Sequence, residues 1–449
     1  MRTDRPDAST LIDAVVDPGS FQLWTPPDEP ESVVTGRATV AGHAVVLVVS
    51  EFAIAGGSIG TVAGARIVEA IGRATAQSLP LVALPASGGT RMQEGTPAFL
   101  QMAAITAAVN DHRDAGLPYI VYLRHPTTGG VFASWGSLGD ITWAQPGALT
   151  GFLGPKVYEG IYGESFPAGV QTAENLLSHR LLDDVFAAEE LGYRLARVIG
   201  ALDPAPDSVP AERSHSLLAR PVDDAWSAVV ATRRDGRPGL VELEEHLGAV
   251  PIAGPGPVRV SIVRFGGRPT ILVGQDRAIQ AAGEPIGADD LRIARRAIAL
   301  AARWRLPLVT VVDTSGGELS QAAEESGLAR QIAASTSELL SAPVPTVSIL
   351  LGQGTGGAAL AMFPADRVIG AADAWLSPLP PEGASIIMHG DTDHAPEMAR
   401  AQHIWVPELS ELGIVDQVVN TLDEVVTAVD EWVASGPRPD RAGRVRVGR

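Results

Sequence analysis

Two glycine pairs mark places where chemistry could be done without a charged side chain. Gly129-Gly130 follows Thr128 and Gly356-Gly357 follows Thr355, each where an apolar run of strand type gives way to a helical one. Successive backbone N–H groups at a helix start bind an oxyanion. Glycine lets a ligand approach the backbone closely and permits positive φ. Both pairs are therefore read as oxyanion donors. A second cluster, Ser87-Gly-Gly-Thr-Arg91-Met-Gln-Glu-Gly95, reads as a ligand loop. Arg91 is placed there either to meet a phosphate or to brace the loop, with Glu94 as its ion-pair partner.

Side-chain acid–base equipment is sparse. No Gly-Lys-Ser/Thr follows the Ser87 cluster, so it is not a P-loop. Gly56-Gly57-Ser58-Ile59-Gly60 lacks the dinucleotide spacing. Neither Ser87 nor Ser134 sits in a Gly-x-Ser-x-Gly elbow, and cysteine is absent. His389, Asp391, Asp393 and His394 fit no common zinc spacing and read as a solvated loop, so no metal is expected. His125, close before Gly129, reads as a structural histidine. Lys156 could meet a nucleotide phosphate or lie idle on the surface. Amide cradles without a nucleophile suit a reaction in which substrate or cofactor supplies the base and the protein stabilises an enolate.

Composition narrows the partners. The 449 residues carry 34 Lys+Arg against 52 Asp+Glu, a net charge of −18. Such a surface repels phosphate backbones, which argues against nucleic acid. No apolar run is long enough to span a membrane, and the first twenty residues do not read as a signal peptide, so a cytoplasmic location is expected.

The elements that must position the glycines alternate. Residues 37–50 read as two strands around a turn at Ala41-Gly42-His43. Helical periodicity covers 61–78 and 96–115. Buried strands are expected at 79–86, 117–123 and 140–143, with a helix from the Gly129 pair to Leu138. Strand–glycine–helix alternation argues for α/β crossovers. The pattern then recurs. Residues 267–275 echo 42–50, Leu306-Pro-Leu-Val309 repeats Leu79-Pro-Leu-Val82, and Ser315-Gly-Gly317 matches Ser87-Gly-Gly89. Thr355-Gly-Gly357 matches Thr128-Gly-Gly130. The chain is thus expected to hold two copies of one α/β domain. The expected organisation is a polar leader without a fold of its own (1–30), a first domain (31–202), a proline-rich linker (203–219), a second domain (220–436) and a disordered basic tail (437–449).

At this level the residues resemble a family. The Ser87–Gly95 cluster, Pro126-Thr-Thr-Gly-Gly-Val131 and Leu149-Thr-Gly-Phe-Leu-Gly-Pro155 resemble the β half of biotin-dependent carboxyltransferases. Asp313-Thr-Ser-Gly316, Gly352-Gln-Gly-Thr-Gly-Gly-Ala-Ala-Leu-Ala361 and Pro380-Pro-Glu-Gly-Ala-Ser385 resemble the α half. The resemblance covers about residues 34–420 and implies an α/β chain of two duplicated crotonase-like (ββα superhelix) domains. It implies the carboxyltransferase subunit of an acyl-CoA carboxylase. CO2 would pass from carboxybiotin, on a separate carrier protein, to the α-carbon of acetyl- or propionyl-CoA.

In that reading Gly129-Gly130 hold the thioester oxygen and Gly356-Gly357 the biotin ureido oxygen. Ser87, Gly88, Gly89, Arg91, Thr128, Gly151 and Lys156 line the acyl-CoA side; Gly316, Thr355, Glu382 and Gly383 line the biotin side. A homodimer or larger homo-oligomer, a biotin carboxylase and a biotin carboxyl carrier protein are implied partners. Two departures are visible. The four-cysteine zinc ribbon of split β subunits is missing, and the loop after Asp313-Thr314 is short. A malonyl- or methylmalonyl-thioester decarboxylase and a non-catalytic acyl-CoA-binding scaffold are the alternative readings.

Overall fold

Runs of β-branched residues build the first sheet. Val33–Val40 and His43–Ser50 pair antiparallel around Ala41 and Gly42, both at positive φ, which matches the twist of the flanking strands. The Asp17 carboxylate accepts from both turn N–H groups at 2.8 Å. Beyond this hairpin the sheet is parallel through Leu81–Leu84, Tyr119–Leu123, Ile141–Ala144 and Asp184–Val185. Helices Thr61–Ala76 and Thr96–Asp114 make the first two crossovers, burying Ile67, Ile71, Ile105 and Val109 against the sheet.

In this computed structural model, which describes residues 6–24, 26, 28–203, 217–434 and 441–444, the chain divides into units Met1–Gly200 and Ala201–Arg449. The second unit repeats the first. Its strands Val258–Phe265 and Arg268–Gln275 form the hairpin, followed in parallel by Leu308–Thr314, Thr346–Thr355, Arg367–Ala371 and Gln417–Val419. Even the register is kept: Val46 faces Leu81 in one unit and Ile271 faces Leu308 in the other.

Four expectations change. Residues 1–30 are not without fold. Helix Ala8–Val15 buries Ala8, Leu11, Ile12 and Val15 on one face, and Gln22–Leu23 adds a strand to the hairpin. The helix expected to run to Leu138 breaks instead into Gly129–Phe132 and a 3-10 turn at Trp135–Ser137. Of the expected linker, residues 204–216 lie outside the described residues, but Leu218 and Ala219 are buried and donate to the Asn420 carbonyl.

Of the expected tail, 437–440 and 445–449 lie outside the described residues, while Arg441–Arg444 is helical. Arg441 is buried and bidentate to Asp366 at 2.8 Å. It also donates to the Leu339, Ala342 and Val344 carbonyls. Removing it takes away the counter-charge of a buried carboxylate and a donor from each of three carbonyls. Arg441→Met is therefore expected to cost about 3–5 kcal/mol, read as a lower denaturant midpoint for the second unit.

Candidate active site

Each glycine turn is set by the way a strand ends. Thr127–Thr128 leaves the first sheet to pair with Thr150–Gly151, and the end of Thr346–Thr355 pairs likewise with Trp375–Ser377. The chain then turns into a short helix through a glycine at φ 63° (Gly129) or 64° (Gly356). This left-handed conformation is strained for any residue with a Cβ. Helix starts leave their first N–H groups without intrahelical partners. No acceptor among the described residues pairs with the N–H of Gly130, Gly356 or Gly357. Gly129 differs: its N–H is spent on the Phe152 carbonyl at 3.0 Å. The expected pair of donors in the first unit thus reduces to Gly130, whereas both stay available in the second.

The neighbouring loops are packed onto these turns. Gly89 (φ 107°) lies so close that a Cβ there would sit 3.3 Å from Gly130 N. Ser87 is buried and its hydroxyl accepts from Gly89 N–H at 3.0 Å. Thr314 does the same for Gly316 N–H at 3.0 Å. The structural counterpart of Ser87 is therefore Thr314, and the letter match of Ser315-Gly-Gly with Ser87-Gly-Gly is one residue out of register. What recurs is a hydroxyl two residues before a positive-φ glycine, a turn that pre-shapes the loop. Gly88 donates to the Gly56 carbonyl at 3.0 Å.

Arg91 braces rather than binds. Its guanidinium pairs with Glu31 and Glu94 and donates to Ser32 Oγ, Ser58 Oγ and the Ser58 carbonyl, leaving no N–H for a phosphate. Glu94 in turn accepts from Thr61 N–H at 2.7 Å, capping helix Thr61–Ala76. The Arg91 hydrogen bond holds the Glu31 carboxyl below its ordinary 4.5. A depressed carboxyl pKa contributes stability that is full above the unfolded value and is lost as pH falls. Glu31→Gln is accordingly expected to lower the urea midpoint at pH 7, with the difference from the parent vanishing toward pH 3.

The remaining expected residues fall into place unevenly. Thr128 Oγ1 donates weakly to the Ser87 carbonyl, at 3.4 Å. Its counterpart Thr355 is buried, and Thr355 Oγ1 has no partner among the described residues. A buried hydroxyl left unpaired asks for a ligand partner. Gly151 packs against the Gln171 side chain, whose Nε2 would have to move for a Cβ there, at 2.6 Å. Glu382 is tied to Arg233, which holds its carboxyl below the ordinary range. Gly383 packs beside Leu379. Lys156 lies in helix Pro155–Tyr162, its side chain outside the described residues. His125 Nδ1 accepts from Leu149 N–H at 3.0 Å, a structural contact. His389 and His394 stack with ring centroids 4.2 Å apart, and His394 bonds Asp391. Among the described residues no three His, Cys, Asp or Glu side chains group to hold a metal, and no helix is long and apolar enough to cross a membrane.

Comparison with known proteins decides the family. Residues 24–182 match the carboxyl transferase domain family, and 261–431 match the acetyl co-enzyme A carboxylase carboxyltransferase-like family. The chain is 53% identical to the probable biotin-dependent acyl-coenzyme A carboxylase beta3 subunit of Mycobacterium tuberculosis, over 94% of this chain and 90% of that one. The chain belongs to the biotin-dependent acyl-CoA carboxylase carboxyltransferase family. A beta/alpha acetyl-coenzyme A carboxylase carboxyl transferase of Salinispora arenicola is 37% identical, over 92% of this chain and 82% of that one. The crystal structure of transcarboxylase 12S, a hexamer with methylmalonyl-coenzyme A bound, superposes with a TM-score of 0.80 at 20% identity. That match spans 96% of this chain and 89% of the other. The duplicated carboxyltransferase fold, of crotonase type, is thereby shown.

Proposed function

We propose that this carboxyltransferase moves CO2 from carboxybiotin, borne on a separate carrier protein, to the α-carbon of acetyl-CoA or propionyl-CoA. The N–CO2 bond of carboxybiotin breaks, releasing CO2 and leaving the electron pair on the ureido group. The ureido nitrogen takes the α-proton of the acyl-CoA, and the enolate carbon attacks CO2 to give malonyl- or methylmalonyl-CoA. Two oxyanions develop along this path. Gly130 is assigned to the thioester oxygen and Gly356 with Gly357 to the ureido oxygen. One observation carries the reading: N–H donors without an acceptor among the described residues stand at equivalent places in both units, in a chain that has no cysteine. The unpaired Thr355 hydroxyl supports the biotin side, because it can accept from a ureido N–H. Biotin carboxylase and the biotinylated carrier are then required partners.

Homo-oligomer formation belongs to the same proposal. The first unit exposes Met92, Phe152 and Ile161, and the second exposes Leu319, Leu379 and Met388. Each of the latter lies 227 residues after its counterpart. Exposed apolar side chains repeated at matching places mark surfaces that pack on another copy. The family resemblance implies that the first unit of one copy then faces the second unit of another. The test is product formation from carboxylated carrier with acetyl- or propionyl-CoA. Malonyl- or methylmalonyl-CoA is expected. CO2 release from malonyl-CoA without a carrier, and no carboxylated product, would instead select a decarboxylase.

A further inference from the structure

The two units share a scaffold but differ beneath their glycine turns. In the second unit, buried polar side chains tie neighbouring strand ends to the cradle helix Gly356–Leu360. Gln275, the last residue of its strand and fully buried, accepts from Asp313 N–H at 3.1 Å and donates to the Ala358 carbonyl at 2.8 Å. Asp313, also fully buried, accepts from Gln353 N–H at 3.0 Å and pairs with Arg237. Arg237 donates in turn to the Leu351 carbonyl at 2.8 Å. Gly352 must be glycine here, because a Cβ would lie 2.2 Å from Arg237 Nη2. In the first unit the positions equivalent to Gln275, Asp313 and Ala358 are Ser50, Ala86 and Val131. Ala86 has no polar side chain, and the buried Ser50 hydroxyl has no partner among the described residues. Arg124, donating to the Ser50 carbonyl at 2.9 Å, is the polar group there.

Burying a carboxylate, a guanidinium and an amide costs free energy unless every group is paired, and the duplicated scaffold of the first unit stands without the Gln275–Asp313–Ala358 tie. We propose that Gln275, held by the Asp313 N–H, is a positioning residue for the second cradle. By fixing Ala358 it holds the start of the helix so that the N–H groups of Gly356 and Gly357 stay presented to the ligand oxyanion. The assignment of that oxyanion to biotin rests on the function proposed above; the positioning itself does not.

The experiment uses the full chain carrying Gln275→Met, which keeps volume and charge, and Gln275→Glu, which keeps the acceptor for Asp313 N–H but loses the donor to Ala358. Hydrogen exchange followed by mass spectrometry is expected to show the segment spanning 354–362 exchanging about tenfold faster in both variants, the size of one lost buried hydrogen bond. The segment spanning 127–134 is expected to be unchanged. In carboxyl transfer from malonyl-CoA to free biotin, KM for biotin is expected to rise or kcat to fall, with KM for malonyl-CoA unaltered. Unchanged exchange at 354–362, equal loosening of both segments, or equal shifts in both KM values would overturn the proposal. A parent enzyme that transfers nothing to biotin would sink the functional reading alone, because the exchange measurement still decides the positioning. Should one variant not fold, the other is judged by the same measurements.

Discussion

Proline at position 357 is expected to lower kcat for carboxyl transfer by about 10²–10³-fold, the usual loss when one oxyanion donor is removed. Alanine at the same position is expected to cost far less. Gly357 is the second residue of its helix, where proline is tolerated because the missing N–H had no intrahelical partner. Both substitutions add a Cβ, which would meet Ile332 Cδ1 at 2.6 Å. That methyl end of a flexible side chain can move aside. Only proline deletes the N–H and sets its ring carbon in that place, so the ratio of the two rates separates the loss of the donor from the Cβ crowding that both share. The same comparison at Gly130, where a Cβ would lie 3.0 Å from Thr90 Oγ1, is expected to give a similar ratio. Equal rates for the alanine and proline variants at either position would mean that its N–H takes no part. Gly129 offers no such comparison: its φ of 63° is closed to proline, and its N–H is already spent on Phe152.

The second large effect concerns assembly. Leu319 is 100% exposed and Met92 82% exposed, and the two stand 227 residues apart at matching places of the two units, which is what points to a covering surface. Leu319→Glu is expected to yield monomers in analytical ultracentrifugation and to abolish carboxyl transfer. A carboxylate inserted into an apolar contact has no partner to repay its lost hydration. Because the side chain touches solvent in the single chain, the monomer fold is expected to persist, read as an unchanged far-ultraviolet circular dichroism spectrum. A variant that keeps both the parent's mass in solution and its activity would remove Leu319 from the interface.

Much of this was legible in the sequence because apolar runs and glycines report local needs. The strands around 43–50 and 268–275 and the turns after Thr128 and Thr355 follow from β-branched periodicity and positive-φ demand. What escaped depends on distant partners. Arg91 could be read as a phosphate ligand because Glu31, which occupies it, lies 60 residues away. Gly129 looked equivalent to Gly130 because nothing local reveals that the Phe152 carbonyl arrives on its N–H. The Ser-Gly-Gly match slipped by one residue because letters were compared, whereas the fold repeats a hydroxyl that serine and threonine supply equally. In the leader, the spacing of Ala8, Leu11, Ile12 and Val15 was present, hidden by polar and proline-rich neighbours. The unpaired Thr355 hydroxyl and the Gln275 bridge to Ala358, 83 residues on, are properties of the folded chain alone.

The proposed function requires two amide cradles, one from each unit, to act together across two copies of the chain. The direct measurement is carboxyl transfer by hetero-oligomers in which one copy carries Gly130→Pro and the other Gly357→Pro, purified by separate tags. Each parent alone is expected to be nearly inactive, and the mixed species to regain activity, because one intact pairing of first and second cradles survives. A mixed species as inactive as its parents, with assembly intact, would contradict it.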